Sequence, residues 1–349
     1  MSAIPAVRFK DVDIIFGDRR KEALELLDGG ATRAEISEKC GAVLGVAGAT
    51  LDVAEGEIFV LMGLSGSGKS TLLRAVNGLN KVARGSVEVS VGGRSTDVAS
   101  CNAADLRRLR QGDVAMVFQQ FALLPWRTVE ENVGFGLELS GMPEAERKER
   151  VRQQLELVGL DKWADRYAHE LSGGMQQRVG LARAFATQAP ILLMDEPFSA
   201  LDPLIRTHLQ DELLKLQSEL KRTIIFVSHD LDEALKIGNR IAIMQDGRIV
   251  QAGTPQDIVL KPVNAYVAEF VQHMNPLNVM TGATIMRKLK PGEKVKAGST
   301  LMPPEATMRE IVAECWKSGK DVSIGRNGKA AGVVGETEIY AALVNPARG

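Results

Sequence analysis

The 349-residue sequence has few cysteines and no long uninterrupted apolar run, and both absences narrow its class. Its three cysteines, Cys40, Cys101 and Cys315, lie far apart and form no C-x-x-C pair. The sequence therefore predicts neither a disulfide framework nor a zinc site, and it fits a reducing cytosol. No uncharged apolar segment approaches the roughly 20 residues that a membrane helix needs. We expect any membrane association to come through a partner.

An excess of charge of one sign and a targeting signal are also missing. The formal net charge is −1 at pH 7, which argues against a dedicated nucleic-acid binder because such domains carry a basic excess. Residues Met1–Pro5 lack the basic-then-apolar order of a signal peptide, and we expect no secretion signal there. The hydrophobic content of 45% is that of an ordinary globular protein. The length allows one large domain and one small domain.

One short segment carries a specific chemical signal. Gly63–Thr71 reads G-L-S-G-S-G-K-S-T, which fits the phosphate-binding pattern G-x-x-x-x-G-K-[ST]. It lies between an apolar run of strand length, Ile58–Met62, and good helix formers, Thr71–Val76. Glycine lets backbone N–H groups approach a phosphate, and a helix N-terminus adds unpaired donors. The segment predicts nucleotide binding, with Lys69 on the β- and γ-phosphates and Ser70 on Mg²⁺. The predicted phosphate-binding residues are Gly63, Ser65, Gly66, Ser67, Gly68, Lys69, Ser70 and Thr71.

Apolar segments of strand length alternate with helical patterns along most of the chain. Continuous apolar runs predict buried strands at Val114–Phe118, Ile191–Met194 and Thr223–Val227. Such alternation implies a largely parallel α/β sheet covered on both sides. No convincing strand pattern appears from about residue 122 to residue 189, which predicts a helical insertion. Asp246-Gly247 predicts a hairpin between two later strands.

Two carboxylates follow the strand predicted at Ile191–Met194. Asp195 lies at the carboxyl end of that strand, where open α/β sheets place ligand-binding groups, and is predicted to hold Mg²⁺ opposite Ser70. Glu196 is the candidate for polarising the attacking water. Two acidic residues at a strand end commonly just face solvent. The phosphate-binding segment in the same domain favours the catalytic interpretation.

A second anion-binding segment is the most discriminating stretch of the sequence. Leu171–Arg178 reads L-S-G-G-M-Q-Q-R and combines a serine hydroxyl, glycine N–H groups and a helix start. It resembles the signature loop of the ATP-binding subunits of ABC transporters, with Met175 where that family most often has Gln. The resemblance implies that the loop closes over ATP held by a second copy of the subunit. Its implied ATP contacts are Ser172, Gly173, Gly174 and Gln176.

The remaining motifs of that family occur in the expected order. Gln119 matches the glutamine that reaches Mg²⁺ and contacts the transmembrane partner, and His229 matches the histidine that contacts the γ-phosphate. Ser199–Asp202 matches the loop that crosses the dimer interface, so Asp202 is an implied nucleotide-site residue. Phe16 resembles the aromatic residue that stacks on adenine, although a core Phe at a strand end is the alternative. The implied fold is an ABC-type nucleotide-binding domain with a parallel sheet core, an antiparallel β subdomain and a helical insertion.

The resemblance narrows to one subgroup. Four segments resemble the ATPase of glycine betaine, proline and choline importers: Gly17–Lys39, Phe121–Pro125, Ser199–Arg206 and Ser228–Ala234. The likeness covers about residues 6–275. It implies an ATP- and Mg²⁺-dependent subunit, peripheral on the cytoplasmic face of the membrane. Its implied partners are a second copy, a permease and, indirectly, a substrate-binding protein, with no nucleic acid. The implied role is osmoprotective import.

The C-terminal segment has a different pattern, which begins near Asn275-Pro276. We predict an ATPase domain at 1–274 and a separate domain at 275–349. Ser299–Ala342 resembles one CBS (cystathionine-β-synthase-like) module, with an unrelated α+β tail as the alternative. One helical face is predicted to contain Met308, Ile311, Val312 and Cys315. Two short strands, Val322–Ile324 and Ala331–Val334, are predicted on either side of Asn327-Gly328. A last helix is predicted at Glu336–Val344.

Three other functions compete with the importer ATPase. A soluble ABC ATPase acting on nucleic acid or ribosomes usually carries two ATPase domains or a long coiled coil, whereas this chain has one motif set and no heptad run. A kinase with the same phosphate loop would leave Ser172–Gln176 and His229 without a role. A nucleotide-sensing regulator would bind adenine nucleotide through its C-terminal segment alone.

Overall fold

The computed structural model describes residues 4–272, 277, 279–290, 293, 295 and 298–344. Its backbone divides into two compact units. The first runs to His229 and includes Ala242–Ile249, and the second comprises Asp230–Ile241 and the chain from Val250 onward. The domain boundary predicted between residues 274 and 275, at Asn275-Pro276, lies outside the described residues and stays a prediction.

The strands and helices follow the predicted alternation. The strands are β1 (Val7–Phe16), β2 (Val43–Val53), β3 (Ile58–Met62), β4 (Arg84–Val91), β5 (Arg94–Asp97), β6 (Val114–Val117), β7 (Ile191–Asp195), β8 (Thr223–Val227), β9 (Arg240–Gln245), β10 (Arg248–Gly253), β11 (Arg287–Lys288), β12 (Leu301–Met302), β13 (Val322–Arg326) and β14 (Lys329–Val334). The helices are α1 (Arg20–Asp28), α2 (Arg33–Cys40), α3 (Lys69–Leu73), α4 (Ala103–Arg108), α5 (Val129–Leu139), α6 (Glu144–Leu157), α7 (Gly173–Ala186), α8 (Pro203–Leu220), α9 (Leu231–Ile237), α10 (Pro255–Leu260), α11 (Ala265–Val271), α12 (Gly282–Ile285), α13 (Met308–Ser318) and α14 (Glu336–Val344).

The central sheet has the strand order β10-β9-β3-β8-β7-β6. Strands β3, β8, β7 and β6 pair in parallel. Every residue of β3, β7 and β8 is buried, as expected for strands covered on both faces. Because parallel strands end at the same edge of a sheet, the segments that follow β3, β6, β7 and β8 meet there. These segments carry the phosphate loop, Gln119, Glu196 and His229.

A second, antiparallel sheet has the order β2-β1-β4-β5, and it confirms the antiparallel β subdomain that the resemblance implied. Its inner face belongs to one large apolar core that also includes side chains of the central sheet, among them Phe9, Val87, Phe59 and Ile225.

Helices α1 and α2 form an insertion between β1 and β2, named here the α1–α2 insertion (residues 18–41). It has an apolar cluster of its own, in which Ala23, Leu27, Ile36 and Cys40 pack with Leu44 of β2. A capping box starts α2: the Thr32 hydroxyl accepts from the Glu35 N–H, and the Glu35 carboxylate accepts from the Thr32 N–H. The insertion is therefore fixed to the antiparallel sheet by packing.

The predicted helical insertion is confirmed. Residues 122–189, all of which the structure describes, contain helices α5, α6 and α7 and no strand. Val151 and Leu155 of α6 are buried, as the helical spacing predicted. Among the helices in the described part of the chain, none combines the length and the apolar character that crossing a bilayer requires.

The second unit contains a sheet of order β11-β14-β13-β12. Met308, Ile311, Val312 and Cys315 of α13 all pack in one apolar cluster, as predicted. The predicted strands and last helix are also confirmed, as β13, β14 and α14. Asn327 and Gly328 have φ values of 52° and 74°, the left-handed pair that a tight hairpin turn requires.

Candidate functional site

The phosphate loop is closely surrounded by backbone. Gly63 has φ 144°, and a Cβ there would clash with the carbonyl oxygen of Met244. A Cβ on Gly68 would clash with the carbonyl oxygen of Gly45 in β2. Gly247, in the β9–β10 turn, donates its N–H to the Ser67 carbonyl at 3.0 Å. The phosphate loop therefore has glycine at the positions where the main chain of other segments approaches it most closely.

The donors of the loop suit a phosphate. The Lys69 ammonium donates to the carbonyls of Gly63 and Leu64 at 2.8 and 2.9 Å. Burial lowers the pKa of Lys69, and the Glu196 and Asp195 carboxylates act in the opposite direction. The Ser67 hydroxyl is buried and has no hydrogen-bond partner among the described residues. A buried polar atom of this kind fits a site built to bind a ligand.

The Asp195 carboxylate connects the loop helix to the end of β7. Asp195 is fully buried, and its Oδ1 accepts from the Ser70 hydroxyl at 2.7 Å. Its Oδ2 accepts from the Arg74 guanidinium at 2.8 Å. A carboxylate and a hydroxyl are oxygen ligands of the kind Mg²⁺ prefers, and Mg²⁺ is usually bound through one or two carboxylates plus phosphates and water. The pair Ser70 and Asp195 therefore fits the predicted Mg²⁺ site.

Glu196 lies where the two other predicted catalytic-site side chains meet. Its Oε2 lies 3.3 Å from the Gln119 amide nitrogen and 3.2 Å from Nδ1 of His229. Glu196 has φ 47°, a left-handed conformation that is uncommon outside glycine. Its N–H donates to the Val227 carbonyl at 3.1 Å, and its carbonyl accepts from the Ser199 hydroxyl at 3.0 Å. The carboxylate is thus fixed from both its backbone and its side chain.

Sequence reasoning missed two residues that support this centre. Gln177 is 1% exposed; its amide nitrogen donates to the Glu196 carbonyl and its amide oxygen accepts from the Ala200 N–H. Arg74 pairs with Asp195 as described above. A polar Gln on the buried face of α7 was an available signal for the first residue, whereas nothing in the sequence pattern singled out Arg74.

The signature segment lies apart from the phosphate loop. Ser172 caps α7 by accepting from the Met175 N–H at 3.4 Å, and the Gln176 amide donates to the Leu171 carbonyl at 3.1 Å. Asp202 likewise caps α8. In the described part of the chain, no hydrogen bond or ion pair joins these residues to Gly63–Thr71. Their predicted role toward the ATP of a second copy stays a prediction.

Phe16 lies at the end of β1 and is 39% exposed. A Cβ built on Gly45 would lie 2.8 Å from Phe16 Cε2 and 2.9 Å from Thr71 Cγ2, so the ring lies near the helix that follows the phosphate loop. This place suits the predicted contact with adenine. Of the histidines without a predicted role, His169 stacks on Tyr167, His208 is exposed, and His273 lies outside the described residues.

Comparison with known proteins shows which family the chain resembles. The ABC transporter family model matches residues 46–199. The glycine betaine/proline betaine transport ATP-binding protein ProV of Salmonella typhimurium is 46% identical over 334 residues, which cover 96% of this chain and 82% of that protein. The trimethylamine N-oxide transport ATP-binding protein TmoW of Ruegeria pomeroyi is 44% identical over 299 residues, 85% and 86% of the two chains.

The chain is also similar to solved structures of ABC transporter cassettes. The dimeric structure of MJ0796, a bacterial ABC transporter cassette, matches with a TM-score of 0.61 and 30% identity over 71% of this chain and 98% of that one. A dimer of the same cassette bound to ADP and phosphate matches with a TM-score of 0.62 and 30% identity.

Replacing Arg74 tests the support of the buried carboxylate. Arg74→Met leaves Asp195 with only the Ser70 hydroxyl. Removing one partner of a buried ion pair costs about 3–5 kcal/mol. Because the Arg74 side chain is 37% exposed, we expect a smaller loss, of about 2 kcal/mol in the free energy of unfolding.

Urea unfolding measures this loss. Arg19→Met, which removes the exposed pair with Glu22, is the control and should cost less than about 0.5 kcal/mol. A loss for Arg74→Met no larger than that of the control would show that Asp195 does not depend on Arg74.

Proposed function

The chain belongs to the ATP-binding subunits of ABC transporters, in the group that includes ProV, and on this basis we propose that it drives import of a quaternary amine such as glycine betaine. The observation that carries its ATPase part is that Gln119 and His229 both contact Glu196, while Ser70 contacts the adjacent Asp195. The named relatives are ATP-binding proteins of transport systems for glycine betaine and proline betaine or for trimethylamine N-oxide, small molecules whose nitrogen carries four substituents. The substrate itself would be held by other subunits.

The residues of the site have separate roles in ATP binding and hydrolysis. Lys69, Ser67 and the loop N–H groups hold the phosphates, and Phe16 stacks on the adenine. Ser70 and Asp195 would hold Mg²⁺, which neutralises charge on the phosphates. Glu196 orients the attacking water and accepts its proton, and water oxygen bonds to the γ-phosphorus as ADP leaves. His229 lies 3.2 Å from Glu196, and it would contact the γ-phosphate from there.

The signature segment would complete the site of a second copy. Ser172–Gln176 presents a hydroxyl and a helix N-terminus, and in the described residues it does not contact its own phosphate loop. Two copies related by a twofold axis would each cover the ATP of the other, an isologous arrangement. The dimeric cassette among the similar structures supports this proposal.

A cleft beside Gln119 suits the permease, which would hold the chain at the cytoplasmic face of the membrane. The cleft measures about 350 Å³. The half-buried Arg183 guanidinium donates to the carbonyls of Ala122 and Phe121 at 2.7 and 2.9 Å and so fixes the segment after Gln119 against α7. An occupant of the cleft would therefore act on Gln119, which contacts Glu196. The apolar lining of the cleft includes Leu79, Met116, Phe118, Ala122, Leu124 and Phe135.

The C-terminal segment would be a CBS-like regulatory module that pairs with its copy in the dimer. Trp316 of α13 and Tyr340 of α14 are 90% and 64% exposed. Large exposed apolar side chains are typical of an interface when they form a patch. A twofold ATPase dimer brings two such modules near one axis, where they could hold the ATPase domains together or apart.

The variant Glu196→Gln tests the proposed function directly. Losing a general base slows the chemical step by about 10²–10⁴, so we expect this loss in ATP hydrolysis with ATP binding retained. Cells that carry the variant in place of the parent chain should lose uptake of radiolabelled glycine betaine. Glu219→Gln, a change at an exposed position of α8, is the control. Unchanged uptake of every quaternary amine tested, with hydrolysis lost, would contradict the proposed substrate class.

The variant Ser172→Arg tests the composite site. The bulky cation should abolish hydrolysis, because the partner's ATP could no longer be covered, while a single subunit still binds ATP. Nucleotide binding and turnover are measured on the same preparation, with Ser140→Arg as an exposed control. Loss of ATP binding by the monomer would contradict the model.

The variant Trp316→Arg tests pairing of the C-terminal modules. We expect weaker self-association of the full chain in sedimentation velocity and unchanged ATP binding. Trp126→Arg changes a tryptophan that is 71% exposed in the ATPase region and should leave self-association unchanged. Equal behaviour of the two variants would rule out pairing through Trp316.

A further inference from the structure

Arg33 of the α1–α2 insertion contacts the phosphate loop, and the assigned site leaves this contact without a role. Its Nη1 donates to the carbonyl oxygen of Gly66 at 2.6 Å. The two residues are 33 positions apart in the chain, and the contact therefore depends on how the insertion packs. Hydrogen bonds from a guanidinium are shorter and stronger than those between neutral groups.

The packing of α2 holds Arg33 in this place. Ile36, three positions further along α2, is fully buried in the apolar cluster of the insertion, and Cys40 is buried one turn later. Residues three and four apart lie on the same face of a helix. The buried face of α2 therefore fixes Arg33, and the capping box at Thr32 fixes the start of the helix.

The carbonyl that Arg33 holds belongs to a hydrogen-bonded turn within the loop. The Ser67 N–H donates to the Leu64 carbonyl at 3.1 Å, which closes a turn with Gly66 at its third position, φ 76°. Lys69 donates to the same Leu64 carbonyl at 2.9 Å. Gly66 is exposed, and no atom lies within 4 Å of the position its Cβ would take. Arg33 thus holds the open side of the turn.

We propose that Arg33 is a positioning residue for the phosphate loop. By holding the Gly66 carbonyl it keeps the turn in the conformation that presents the loop N–H groups to the β- and γ-phosphates. The role strengthens ATP binding and leaves the hydrolytic step unchanged, because Arg33 contacts neither Glu196 nor Asp195 among the described residues. The inference rests on ATP binding by this loop.

The test compares three variants of the full chain. Arg33→Met removes the charge and the donor while keeping a good helix former. Arg33→Lys keeps the charge but loses the planar fork. Arg20→Met is the control, because Arg20 lies in the same insertion and donates to the Gly17 carbonyl at 3.3 Å rather than to the phosphate loop.

Equilibrium binding of Mg²⁺-ATP and steady-state hydrolysis are measured for each chain. We expect Arg33→Met to raise both the Kd and the KM for ATP about tenfold, the usual scale for one hydrogen bond to a charged group, with kcat within about twofold. Arg33→Lys should give an intermediate KM, and Arg20→Met should match the parent.

The proposal is overturned by a KM for Arg33→Met within about twofold of the parent, or by equal effects of Arg33→Met and Arg20→Met. A fall in kcat at unchanged KM would also overturn it, because Arg33 would then act on hydrolysis. Failure of the parent chain itself to bind ATP would overturn the ATPase assignment instead, so the two failures are distinguishable.

Discussion

The buried carboxylate of Asp195 is the interaction on which the arrangement of the site depends. An ionised group without exposure must have its charge compensated, and here the compensation comes from the Ser70 hydroxyl and the Arg74 guanidinium. Ser70 belongs to the phosphate loop, and Arg74 follows it directly after α3. The carboxylate therefore sets the distance between the end of β7 and the loop helix, and the loop cannot shift without exposing or unpairing a buried charge.

Glu196 follows Asp195 directly, and its own position is fixed by hydrogen bonds to its backbone. A left-handed conformation costs a residue with a Cβ about 1–2 kcal/mol, and hydrogen bonds to Val227, Ser199 and Gln177 hold it in place. Gln177 belongs to α7, the helix that Ser172 caps, and it also holds the Ala200 N–H. The proposed catalytic carboxylate, the signature helix and the loop before α8 are thus joined by one buried amide.

Much of this structure could be predicted from the sequence, because the strongest signals are local. Continuous apolar runs indicated β3, β7 and β8, and the glycine pattern of Gly63–Thr71 indicated the phosphate loop. The contacts of Arg33, Arg74 and Gln177 could not be predicted, since each depends on which elements pack together. The helix after the loop is also shorter than its helix-forming residues suggest: α3 ends at Leu73, and turns continue to Gly78, which has φ 67°.

The close approach of main chain at Gly45, Gly68 and Gly247 limits how this nucleotide site can change over evolution. A side chain on Gly68 would strike the Gly45 carbonyl, and one on Gly247 would lie 3.0 Å from the same atom. Three distant segments therefore meet through backbone alone, and almost any substitution would push them apart. Variation in nucleotide affinity between descendants of this chain would have to arise at the periphery, at positions such as Phe16 and Arg33, whose proposed roles depend on their side chains.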